Sequence, residues 1–188
     1  MNTNELKALY TKSCNLISPY VHLEGEVLQR NPDSEDGKRD LKEGIDGLKF
    51  VIEESETNWA AQWFLGKAYQ CMSDHENSYQ SFLMAYRHNL THQDILRELA
   101  LECLLTDRFN EAAYYCNVAI EFDPDDHTLW SNMSVAQLFN KKLEKAESWA
   151  NKTLAKIPED KPALEVLKYV NGVKLGTMTI PEKFSMFV

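Results

Sequence analysis

His88 and His92 lie four residues apart, the spacing with which one helix face can hold a metal ion. They straddle a break in the apolar pattern at "NLTH", a predicted turn, so the helix such a pair needs is missing. The acidic run "DSEDGKRDLKE" has the composition of a calcium loop. If Gly37 takes its sixth place, however, the first falls on Pro32, which has no side-chain ligand. Cys14, Cys71, Cys103 and Cys116 form no C-x-x-C pair and lack zinc spacing. They read as reduced thiols in the core of a cytoplasmic protein. No G-x-S-x-G, H-E-x-x-H, P-loop or dinucleotide fingerprint occurs, and the glycine pair of "GIDGLKF" sits on a predicted helix. Carboxylates are abundant, but no two stand out as an acid and a base. The reading is a non-enzyme with no metal and no cofactor.

What remains is binding, and composition narrows it. The formal net charge of −9 leaves no basic face for a nucleic-acid backbone or an anionic membrane. No stretch approaches the roughly 20 apolar residues of a membrane span, and "MNTNELKALYTKS" lacks a signal pattern. At 188 residues and 44% apolar content the chain should fold around a real core. With only 7 Gly and 6 Pro it is poor in the breakers that an all-β fold requires, so helices are favoured.

A repeat organises those helices. Steps of 34 residues from Gly66 reach Ala100 and Ser134, all small. Steps from Leu65 reach Leu99 and Met133, and steps from Ser78 reach Ala112 and Ala146. Ala85 leads to Ala119 and Thr153; Leu90 leads to Pro124 and Pro158. Each unit reads as two helices. "QDILRELALECLL" and "FNEAAYYCNVAIEF" both carry apolar residues at helical spacing, with "TDR" as the turn between them and "DPDD" as the stop. The recurrent small residues mark where two antiparallel helices cross closely. Gly66 is therefore a packing device, neither a hinge nor part of a phosphate cradle.

"WFLGKAYQ", "HENSYQSFLMAY", "FNEAAYYCNVAIEFDP", "LWSNMSVAQ" and "LEKAESWANKTLAKIP" together resemble the tetratricopeptide repeat. The matching residues are Leu65, Gly66 and Tyr69, then Ser78, Phe82 and Ala85, with Ala112, Ala119 and Pro124, and Trp130, Met133, Ala146 and Pro158. Gln62, Gln137 and Leu90 depart from the pattern at single positions. The resemblance implies an all-α fold, a right-handed superhelical array of antiparallel helix pairs with a C-terminal capping helix. Its expected layout, all one domain, has N-terminal helices over 1–58 including a degenerate first repeat. Three repeats follow at 59–92, 93–126 and 127–160, then a capping helix over 161–175 and an apolar tail over 176–188. Within 1–58, "DLKEGIDGLKFVIEE" looks like a second helix, "NPDSEDGKR" like a long loop, and Pro19 should kink or divide a helix lying within 4–30.

The resemblance also implies a concave groove lined by the first helix of each pair. Its expected lining is Trp63, Phe64 and Lys67 from the first repeat, Arg97, Glu98, Leu101 and Leu104 from the second, and Asn132, Val135 and Phe139 from the third. Such a groove would hold a peptide by apolar burial, with Lys67, Arg97 and Glu98 setting the register. The Lys and Asn clamp by which some members of the family hold chaperone tails is absent here. A protein or peptide partner is expected, in the role of adaptor or interaction module. One alternative is a chaperone for an export substrate or an assembly. Another is a structural scaffold that self-associates through the tail, whose Ile180, Phe184, Met186, Phe187 and Val188 are too apolar to be left in solvent.

Overall fold

In a computed structural model the described residues, 1–21 and 32–187, form helices and turns. The helices are α1 (Thr3–Ile17), α2 (Glu35–Glu54), α3 (Trp59–Cys71), α4 (His75–His88), α5 (Gln93–Leu105), α6 (Phe109–Phe122), α7 (His127–Phe139), α8 (Leu143–Leu154) and α9 (Lys161–Lys174). They fall into two compact units, Met1–His92 and Gln93–Val188, divided where the sequence places a repeat boundary. In the first unit α1 packs on α2 and α3 on α4. In the second α5 packs on α6, α7 on α8, and α9 caps the last pair. The predicted helices over 93–105 and 109–122 have the bounds of α5 and α6.

Two boundaries differ from expectation. The segment read as a long loop turns helical at Glu35, because the Ser34 hydroxyl accepts from the Gly37 amide and Glu35 and Asp36 occupy the positive end of α2. Pro19 ends α1 outright: the helix stops at Ile17 and passes into a tight 3-10 turn over Ser18–Tyr20. Residues 22–31, which include the rest of the span in which a first helix was sought, lie outside the described residues, as does Val188.

The small residues mark close helix crossings, as the repeat demands. A Cβ on Gly66 would come within 2.7–2.9 Å of three atoms of the Phe82 ring on α4. Ser78 at the same crossing donates its hydroxyl to the Gly66 carbonyl at 3.1 Å. In the degenerate first pair Gly44 does the same work, with Ile17 only 2.6–2.9 Å from where its Cβ would stand. Ala100, Ala112, Ser134 and Ala146 are fully buried at the equivalent positions.

The turns inside each repeat share one geometry. Ser73, Asp107 and Lys141, 34 residues apart, have φ of 58°, 60° and 59°. After each, the next amide reaches back to a carbonyl five residues earlier: Asp74 to Tyr69, Arg108 to Cys103, Lys142 to Gln137. This closes the end of the first helix in the left-handed manner that usually takes glycine. None of the three is glycine, so each turn carries a cost of about 1 kcal/mol that the packed pair over-determines. Helices α3, α7 and α9 begin on side-chain caps: Asn58 accepts from the Ala61 amide, Asp126 from Thr128 and Leu129, and Asp160 from Ala163.

Candidate functional site

In the first unit Trp63 and Phe64 are half-buried on α3. Phe64 packs edge-on to Tyr10 of α1 at 6.4 Å and joins the core between α1, α2 and α3. Trp63 meets Phe64 edge-on at 5.1 Å, and its indole N–H is shielded from solvent with no partner among the described residues. Lys67 is not the groove cation that was expected. It is only 4% exposed and donates to the Gln70 side-chain carbonyl at 2.7 Å, folded along its own helix. Cys71 gives its thiol proton to the Tyr20 carbonyl, tying α3 to the turn after α1.

In the second unit the expected residues separate into three groups. Leu104 and Val135 are each 1% exposed and belong to the core, so neither lines a surface. Their positions on α5 and α7 face neighbouring first helices, because α5 packs on α7 and α7 on α9. Arg97 is committed to structure. Its guanidinium bridges Asp94 at 3.0 Å and Asp126 at 2.8 Å, and the second is the cap of α7. Ser131, one repeat later, donates to Asp160, the cap of α9, at 2.8 Å. In the second unit Arg97 and Ser131, at one register, thus each tie a first helix to the cap of the next. Glu98, Leu101 and Asn132 remain half-buried on the first-helix face.

Phe139 is the member of the expected set that meets the chain's own tail. Its ring stacks on Phe109 at 4.2 Å and 13°, which fixes a flat aromatic floor at the end of α7. The C-terminal tail returns onto this floor. Phe187 lies 5.6 Å from Phe139 and 5.5 Å from Tyr169 of α9, and is 5% exposed. Phe184 lies 6.3 Å from Phe139 and 6.0 Å from Phe187. The Phe184 amide donates to the Asp107 carboxylate at 2.7 Å. Phe139 is buried largely beneath the chain's own tail.

Two glycines route the tail. Gly176 leaves α9 with φ +71°, and the Thr177 and Met178 amides both return to the Gly172 carbonyl. Met178 then lies so close over Gly172 that a Cβ there would stand 2.5–2.8 Å from its side chain. The aromatic tail was visible in the sequence, and its receptor was not. Tyr169 and Asp107 carry no signal of their own, although the repeat register puts Asp107 in the same turn as Ser73 and Lys141.

The rest of the chemistry is quiet. Among the described residues no cluster of His, Cys, Asp and Glu could hold a metal. His92, of the histidine spacing set aside in the sequence, stacks on Trp59 at 4.7 Å. Burial pushes the thiols of Cys103 and Cys116 well above their usual range, and that of Cys14 up to about 11. All four cysteines are free. An open groove of about 640 Å³ along one face of α1 includes none of the expected binding residues. Among the described residues no helix is long and apolar enough to cross a membrane.

No family model matches the sequence, and no curated protein matches it. Solved structures do share its architecture. The crystal structure of MamA protein aligns at a TM-score of 0.73 and 15% identity, over 93% of this chain and 85% of that one. YrrB, described as a TPR protein with an unusual peptide-binding site, aligns at 0.64 and 17% identity, over 80% and 75%. A tetratricopeptide repeat protein from Parabacteroides merdae aligns at 0.68 and 15% identity, over 93% and 63%. With its helix pairs, close crossings and turns recurring every 34 residues, this chain has the fold of the tetratricopeptide repeat proteins.

Proposed function

We propose that this chain is a non-catalytic interaction module that holds a peptide segment on the first-helix face of its second unit. The observation that carries the reading is the seat of residues 184–187. A short aromatic stretch of chain rests on Phe139 and Tyr169 and is fixed by one backbone hydrogen bond to Asp107. That combination of side-chain pockets and a main-chain anchor is the usual physics of peptide capture. Leu101, Glu98 and Asn132 extend the same face along α5 and α7. Trp63 and Phe64 offer a second, separate aromatic surface in the first unit. YrrB, with the same fold, is described as having a peptide-binding site.

The test is selection from a random peptide display library on the immobilised full chain, with Phe139→Ala and Leu101→Ala as paired baits. Peptides should enrich on the wild type or its tail variants and be lost from Phe139→Ala. Both variants should keep the helical circular dichroism of the parent. Equal enrichment on all baits would place binding elsewhere and refute the assignment.

A further inference from the structure

We infer that the seat on the second unit is selective for a segment carrying Phe-x-x-Phe, and that residues 184–187 are a built-in competitor for it. This rests on the peptide-binding reading and specifies its ligand. Phe184–Met186 form a single 3-10 turn, which has three residues per turn. Residues three apart then lie on one face, and Phe184 and Phe187 do so with their rings 6.0 Å apart. Among the described residues 184–187 these two side chains are the ones that turn to the seat. Phe187 is 5% exposed, whereas Met186 between them is 66% exposed and Ser185 is also exposed.

The receptor matches that two-point pattern. The Phe109–Phe139 stack makes a stiff floor, Tyr169 makes a wall for the second ring, and Asp107 accepts the amide of the first phenylalanine. Asp107 is held in place by its own turn, with φ of 60° in the shared geometry of the repeats, so the acceptor is preorganised. A backbone amide is present in any peptide, so this contact sets position and leaves sequence to the two rings. The tail is joined to the seat by the short run from Gly176 to Lys183, and a tether of this kind gives a local concentration in the millimolar range. A free peptide must therefore compete with the tail, and its apparent affinity falls by the fraction of seats left open.

The experiment uses a fluorescein-labelled synthetic peptide, IPEKFSMFV, and fluorescence anisotropy. The proteins are the wild type, the full-length Phe184→Ala/Phe187→Ala double variant, and Asp107→Gly, which keeps the left-handed turn while removing the acceptor. The peptide should bind the double variant at least about tenfold more tightly than the wild type. Replacing either phenylalanine in the peptide should abolish binding, and adding Phe139→Ala to the double variant should do the same. Asp107→Gly should bind the peptide weakly although its own tail is loosened. Equal affinity for wild type and double variant would overturn the inference, as would no binding to a double variant that retains its helical signal. A wild type that is dimeric by light scattering and becomes monomeric in the double variant would also overturn it, since the tail would then serve a second copy. Library selection on the double variant separates the two readings. Peptides enriched without the phenylalanine pair refute this inference and leave the general one standing, whereas no enrichment at all refutes both.

Discussion

Replacing Gly66 by alanine sets two effects of similar size against each other. Alanine is favoured over glycine in a helix interior by about 1 kcal/mol, so propensity alone predicts stabilisation. The added Cβ would stand 2.7–2.9 Å from the Phe82 ring, where ordinary contact is 3.4–4 Å. Phe82 is fully buried, so its ring can retreat only by disturbing α3 and α4. Overpacking of this kind costs about 1–3 kcal/mol, so the net effect should be a loss of about 0–2 kcal/mol.

The other repeats suggest how to isolate the clash. At the positions of Gly66 and Phe82 the second repeat has Ala100 and Cys116, and the third has Ser134 and Ala150; all four are buried. Where the first residue gains a side chain, the second has a smaller one. Phe82→Cys in this chain should by itself cost about 3–5 kcal/mol through the cavity it leaves. Made on that background, Gly66→Ala should become stabilising by about 1 kcal/mol, since only propensity remains. The cycle should therefore show a coupling of about 1–3 kcal/mol, read from urea unfolding followed by circular dichroism. If Gly66→Ala has the same effect in both backgrounds, the crossing is not what keeps this position small.

Two further outcomes follow from the caps and the thiols. Asp126→Ala removes the cap of α7 and one of the two carboxylates on Arg97, and should cost about 2–3 kcal/mol in urea unfolding, whereas Asp126→Asn keeps a capping oxygen and should lose less; a cost below about 0.5 kcal/mol for alanine would refute the repeat-to-repeat link. Burial raises the pKa values of Cys14, Cys103 and Cys116 in the folded state, so folding favours the protonated thiols. Their contribution is complete below the unfolded thiol value of about 8.5 and declines as pH climbs from there, through about 11 for Cys14 and further still for Cys103 and Cys116. The urea midpoint should accordingly fall between pH 8 and pH 10 with a slope that Cys116→Ala reduces, and a thiol reagent at pH 8 should reach Cys103 and Cys116 only after unfolding.

The fold was legible because its signal is repeated. Any single glycine or alanine is uninformative, but Gly66, Ala100 and Ser134 at one register are not, and the bounds of α5 and α6 follow from apolar spacing between clear stops. The misread start of α2 had a single weak cue, a serine ahead of an acidic pair, inside a segment whose polarity and glycine also suit a loop. The site was less legible for a different reason. Position in a repeat says which way a side chain sets out, and not what meets it. Leu104 and Val135 start toward the first-helix face and are covered there by neighbouring helices. Phe139 starts toward it as well and is covered by a tail from nearly 50 residues further along the chain.

Arg97 shows how such a register can be redirected. Its counterpart one repeat later is Ser131, and the two differ in length, charge and hydrogen-bonding reach, yet both end on the aspartate that caps the next first helix. Each of those aspartates also satisfies amides at the start of its helix, so one carboxylate closes a helix end and joins two repeats. A side chain held this way is committed to the junction of two helices, because moving it away would strip the capping aspartate of a hydrogen bond. In the proposed reading recognition falls instead to the aromatic residues that cluster at the far end of α7 in the second unit, around Phe139. The tail occupies that same place. On that reading the first helices of the second unit link repeats near their starts, through Arg97 and Ser131, while Phe139 near the end of α7 has the chain's own tail against it.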